Sequence, residues 1–223
     1  SLHYFEKYLE IVLQLDDQKG IGNAYMNMGN VYAKTKEYEK GLSLFAKSLK
    51  IARKRKFLRM IGINLINFAS TYVEMADYDR VLPYLEEARS LFSTMKDHRH
   101  LNEVLRHLSD YYHLIGKYID RDKTISKALR LANEVALPRL QYLALYKMGE
   151  HLTEENPAEA AIKFEKALKL AEVNDIRNEM GYILRALGNV YIKNKETAPA
   201  GRALLKRAAA LGTDPEKTSD IHI

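Results

Sequence analysis

The chain repeats one phrase five times. Tyr25-x-x-Met28-Gly29-x-x-Tyr32 is followed by Leu65-x-x-Phe68-Ala69-x-x-Tyr72, then by Leu105-x-x-Leu108-Ser109-x-x-Tyr112. Leu145-x-x-Met148-Gly149-x-x-Leu152 and Leu184-x-x-Leu187-Gly188-x-x-Tyr191 complete the series. The small residues stand at 29, 69, 109, 149 and 188, so the interval is 40 three times and then 39. A fixed interval in this range marks a supersecondary unit that cannot bury its apolar face alone and is completed by stacking on its neighbours. The feature moves the functional question from an active site to a surface.

A second periodic stretch follows each phrase. After Tyr32 come Tyr38, Gly41, Leu42, Phe45 and Ser48, and after Tyr72 come Tyr78, Val81, Leu82, Leu85 and Ala88. Spacings of three and four are helical, so each unit is two helices. Helix A is predicted near 20–34, 58–75, 98–115, 138–152 and 177–193, and helix B near 37–54, 77–94, 118–134, 157–172 and 198–210. Asn156 before Pro157 reads as an N-cap followed by proline at the first helical position, where a missing N–H is harmless. Thr197 and Pro199 are expected to repeat that arrangement, and Gly116 to close a helix in the left-handed region. Pro83 conflicts with the second helix B and predicts a slight kink or an early-turn position. The expected division is a lone helix B over 1–15, repeats over 16–56, 57–96, 97–136, 137–174 and 175–211, and a tail or linker over 212–223. Residues 1–15 read as helix B because Phe5 maps onto Phe45 when the interval is subtracted.

The small residue after an apolar one, the Tyr three positions later and the Ala-x-x-x-Phe-x-x-Ala stretch beyond resemble the tetratricopeptide repeat over essentially the whole chain. The resemblance implies an all-α, right-handed superhelical solenoid of antiparallel helix pairs, about five and a half repeats long. Two features depart from the pattern: its tryptophan is replaced by Tyr25 or Leu, and the interval is 40 rather than 34 without the closing proline. The longer interval resembles an extended-helix subclass, and Gly20–Asn30 resembles units of spindle-orientation adaptors, kinesin light chains and bacterial regulators. In such relatives the repeats bind peptides or proteins, some of them switching an attached output domain.

Composition narrows the classes further. Without cysteine there is no disulfide, thiolate metal site or cysteine nucleophile, which fits a reducing compartment; a cytoplasmic location is expected, with the periplasm left open. No apolar run is long enough to span a bilayer. The net charge of +6 allows a preference for acidic partners without identifying one. No Gly-rich phosphate loop, Ser elbow or carboxylate pair on rigid strands is present, so no catalysis and no cofactor are expected.

Specificity is expected on the inner wall of the superhelix, formed by helix A. The candidate peptide- or partner-binding residues are Asn23, Asn27, Asn30 and Asn67 at one end, and Arg106, His107, Asp110, Tyr146, Glu150, Arg185 and Asn189 along the rest. Asparagine amides both donate and accept, as an extended peptide backbone does. Arg106 and Arg185 suit bidentate capture of carboxylates. Asn30 and Asn67 match the chaperone-tail clamp of some tetratricopeptide co-chaperones, but Met26, Glu103 and His107 do not, so that specificity is rejected. His98, His100, His107 and His113 lack the i, i+4 spacing of a metal pair, and no metal site is expected. Arg53-Lys54-Arg55-Lys56 ends a helix, where cations are favoured, so direct nucleic-acid binding is not expected. The repeated tyrosines are expected in the core. The expected function is a non-catalytic scaffold for a protein or peptide segment, acidic in character. The alternative is a ligand-responsive input domain of a larger signalling or transcription-regulating protein. Self-association through exposed terminal helices is the second expected partnership.

Overall fold

The computed structural model describes residues 2–211; the tail expected at 212–223 lies outside them. The described residues form eleven α-helices and no strand. They are α1 (Leu2–Gln14), α2 (Gln18–Lys34), α3 (Tyr38–Arg55), α4 (Leu58–Glu74), α5 (Val81–Thr94) and α6 (His98–Leu114). Then follow α7 (Tyr118–Glu134), α8 (Pro138–Leu152), α9 (Pro157–Val173), α10 (Arg177–Ile192) and α11 (Ala198–Ala210). The periodicity located each helix of the five expected pairs to within a few residues.

The connections follow one design. Residues 16, 36, 56, 76, 96, 116 and 136, twenty apart, all have positive φ, and Asp175 does the same after the shortened unit. Each sits just beyond a helix, and the next amide bonds back to a carbonyl in the last turn: Glu37 N to Tyr32 O at 2.8 Å, Phe57 N to Ala52 O at 2.9 Å, Asp77 N to Tyr72 O at 2.9 Å. This is the left-handed C-terminal cap that satisfies otherwise orphaned carbonyls. The residue whose amide makes that bond is the N-cap of the next helix, which keeps these three loops to two or three residues. Only Gly116 was legible as such a cap, because the other positions carry Lys, Ala or Asp.

Other local expectations divide. Asn156 caps α9, its side chain accepting from Glu159 N at 3.2 Å. Pro83 falls in the first turn of α5, after a short 3₁₀ turn at Tyr78–Arg80 that absorbs the conflict. Thr197 is different from expectation: its hydroxyl donates to Tyr191 O at 2.7 Å instead of capping α11, and Pro199 takes the second helical position.

Within each unit, helices pair consecutively and antiparallel. A Cβ on Gly29 would lie 2.6 Å from the Phe45 ring, and one on Gly41 would lie 3.1 Å from Gly29 O and 3.3 Å from Ala33 N. Positions 29 and 33 of α2 thus face 45 and 41 of α3. The recurrent small residue is explained: it admits the partner helix and its aromatic ring. Gly149 admits Phe164 in the same way, and Gly188 opposes Leu205 and Gly201.

The chain divides into two compact units, Ser1–Gly116 and Lys117–Ile223. The core of the first gathers Phe45, Leu65, Phe68, Leu85, Phe92 and Leu108. That of the second gathers Tyr142, Leu143, Phe164, Ile183, Leu184 and Leu187. Burying one such side chain stabilises by about 1.5–3 kcal/mol, so each unit rests mainly on these clusters.

Candidate partner-binding faces

In the first unit, α2 and α4 are neighbours, and α4 and α6 are neighbours. Asn23, Asn27 and Asn30 rise along one face of α2, three or four residues apart, all half-buried. Asn67 is half-buried on α4, and its Nδ2 is enclosed without a hydrogen-bond partner. Asn64, one turn earlier, is wholly buried and structural: its Nδ2 donates to Ser48 Oγ and Met60 O, both at 2.9 Å. The same residue type is therefore spent in two ways, and only the register separates them. His107 and Asp110 are half-buried on α6.

Arg106 is placed differently from a surface clamp: its side chain is buried, 4 % exposed. The histidines disperse. His100 stacks on Phe92 with ring centroids 4.9 Å apart and places Nδ1 2.9 Å from Asp97 Oδ1, while His98 is exposed. Among the described residues no group of three or more His, Cys, Asp or Glu is placed to hold a metal ion. Burial alone would raise the Asp97 carboxyl, but hydrogen bonds from the His100 side chain and amide and from Arg59 hold it below its usual value.

In the second unit, three candidates come together. Tyr146 on α8 is buried, and burial, followed by the charge of Glu150, pushes its phenol far above the usual range, against the opposing pull of Arg185. Glu150, exposed one turn on, also pairs with Lys147 Nζ at 2.6 Å. Arg185 and Tyr182 approach from α10. This cluster joins a carboxylate, two phenols and two cations, and suits a ligand with both donor and acceptor groups. Asn189 lies exposed on α10, one turn beyond Arg185.

The tyrosines do more than pack. Tyr72 is buried and stacks on Tyr84 at 5.7 Å. Tyr32, only half-buried, lies under Lys40 Nζ at 5.4 Å, and Tyr191 hydrogen-bonds Glu165, which pushes its phenol up to about 12.

A family profile described as Tetratricopeptide repeat matches residues 20–94. Those residues are tetratricopeptide repeats. The match covers α2 to α5, two successive helix pairs with their small-residue contacts. No curated protein matches the chain. Among solved structures, BtubC (BKLC) from P. vanneervenii is 14 % identical, with 96 % of this chain and 92 % of that one covered and a TM-score of 0.74. A Rap protein complexed with competence and sporulation factor is 15 % identical over 95 % of this chain, with a TM-score of 0.71. Aspartyl phosphate phosphatase F from Bacillus subtilis is 14 % identical over 89 % of this chain, with a TM-score of 0.63. The chain spans 59 % of the length of that Rap protein and 50 % of that phosphatase. At these identities the likeness is one of fold, and it extends the tetratricopeptide architecture beyond residue 94. No helix among the described residues is long and apolar enough to cross a membrane.

Proposed function

We propose that the chain is a non-catalytic binding module that holds a peptide or protein segment against the helix A faces. The observation that carries this reading is the contrast along α2 and α4: the recurrent small residues build the helix contacts, whereas Asn23, Asn27 and Asn30, with Asn67 at the position of Asn27 one interval on, stay half-buried beside the neighbouring helix. Fixed amides on rigid helices suit main-chain recognition, because both partners of each hydrogen bond are already placed. In the second unit, Arg185 beside Tyr146 and Glu150 supplies a further contact for a carboxylate-bearing segment. The fold likeness to a Rap protein complexed with competence and sporulation factor supports the same reading, and it favours as second reading a ligand-responsive input domain in a longer regulator.

The test is fluorescence anisotropy with a labelled random decapeptide pool. Asn27→Ala with Asn67→Ala is expected to weaken the bound fraction about tenfold, as loss of two hydrogen bonds of roughly 0.5–1.5 kcal/mol each implies. Unchanged binding in that double variant and in Arg185→Ala would reject the helix A faces as the site.

A further inference from the structure

Between α2 and α4, within the first unit, lies a cavity of about 260 Å³ whose walls include Asn23, Met26, Phe57, Met60 and Ile63, with Lys19 and Arg59 at its edge. A site for a small molecule usually occupies about 300–1,000 Å³, so this volume suits a single side chain. The walls are mostly apolar. Gly22 contributes to the shape: a Cβ there would meet Met60 Sδ at 2.7 Å, so the missing side chain lets the thioether lie across α2.

The neighbouring slot, between α4 and α6, shows what the first one lacks. Advancing by the 40-residue interval carries Lys19 to Arg59, Phe57 to Asp97 and Met60 to His100. In the second slot Arg59 Nε bonds Asp97 Oδ2 at 3.0 Å, and His100 approaches the same carboxylate at 2.9 Å. There cation, acid and imidazole meet one another. In the first slot the cation is present as Lys19, but the acid is replaced by Phe57 and the imidazole by Met60. Lys19 pairs with no carboxylate among the described residues. Its nearest acids in sequence are committed elsewhere: Asp17 Oδ1 accepts from the Lys19 amide at 3.0 Å, and Asp16 Oδ1 accepts from Gln18 Nε2 at 2.6 Å.

We infer that this slot receives an apolar side chain of a partner peptide, with an adjacent carboxylate of that peptide meeting Lys19 as Asp97 meets Arg59 one repeat later. The inference rests on the binding reading above and names the chemistry of its ligand. The apolar group gains by leaving water for a wall of Met26, Met60 and Ile63, and methionine adapts to different shapes. The carboxylate supplies direction and discrimination, since a cation in its place would face Lys19 and Arg59 at close range.

The test uses two fluorescein-labelled decapeptides, one with a central leucine flanked by aspartates and one with lysines replacing the aspartates. It adds methyl-¹³C-methionine spectra of the protein. The acidic peptide is expected to bind at least tenfold more tightly, shifting the Met26 and Met60 methyl signals and leaving Met148 and Met180 in place. Lys19→Glu, on an exposed side chain, is expected to abolish that preference. Phe57→Asp, which installs the acid of the second slot and an N-cap for α4, is expected to remove binding while the fold persists by circular dichroism. Equal binding of the two peptides, or shifts confined to Met148 and Met180, overturns the slot and leaves the module a binder. Binding of random-pool members but of neither peptide also overturns the slot alone. Binding of neither peptide and of no pool member overturns both readings.

Discussion

Arg53 and Arg121 each grip a glutamate thirty-four residues downstream, in opposite surroundings. In the first unit Arg53 Nη2 donates to both Glu87 oxygens at 2.7 and 3.0 Å, and both side chains are about half exposed. In the second unit Arg121 is 2 % exposed, donates to both oxygens of Glu155 and to Asp122 Oδ1, and lies 4.9 Å from the Tyr118 ring centroid. Glu155, followed by Asp122, drives its guanidinium further into the charged form, against burial. The register makes the contrast sharper: the 40-residue interval that leads to Arg121 passes through Gly41 and Val81, both small or apolar. An exposed pair is screened and contributes little, whereas a buried arginine must be partnered because its desolvation is otherwise uncompensated.

The largest effect is expected from Glu155→Ala. It should cost about 3 kcal/mol in urea unfolding, near the lower end for breaking a buried pair because Asp122 remains and Glu155 is itself partly exposed. Adding Arg121→Met should recover most of the loss, since an apolar residue of similar length needs no counter-charge. A Glu155→Ala loss no larger than that of an exposed pair would break the comparison.

Gly41→Val tests the small-residue form of the same register. Its Cβ would press on the Gly29 carbonyl and the Ala33 amide, backbone atoms that cannot turn aside, so about 2 kcal/mol should be lost. A neutral result would show that α2 and α3 can separate without penalty.

Glu87→Ala should change stability by less than about 1 kcal/mol, and raising NaCl to about 1 M should erase the difference from the unmutated chain. The Glu155→Ala loss should survive that salt. If both respond alike, burial is not what distinguishes the pairs.

The smallest effect concerns Tyr191 and Glu165, which join α10 to α9 in the second unit. The folded phenol is raised from 10.0 to about 12, so its contribution is complete below pH 10 and is lost as the pH rises through 12. Alkaline unfolding of Tyr191→Phe should lack that part of the pH dependence, and identical curves would remove the contact from the account.

The sequence alone determined the helices and their pairing, because a 3.6-residue period and a 40-residue interval are properties of the chain read in order; why the recurrent residue is small came from the contacts its Cβ would make. It also made Asn156 and Gly116 recognisable, since their side chains, or the lack of one, act locally. It did not reveal the left-handed caps at Lys36, Lys56, Ala76 or Ala136, whose residue types ordinarily avoid that region and are held there by the carbonyls they satisfy. Nor did it show that Asn64 is hydrogen-bonded inside the core, or that Arg106 is buried. Those outcomes depend on how far a side chain lies from the next helix, which the tertiary structure decided. The slot beside Lys19 is of the same kind: every residue in it was visible in the sequence, but the missing carboxylate became evident only when two neighbouring slots were compared in space.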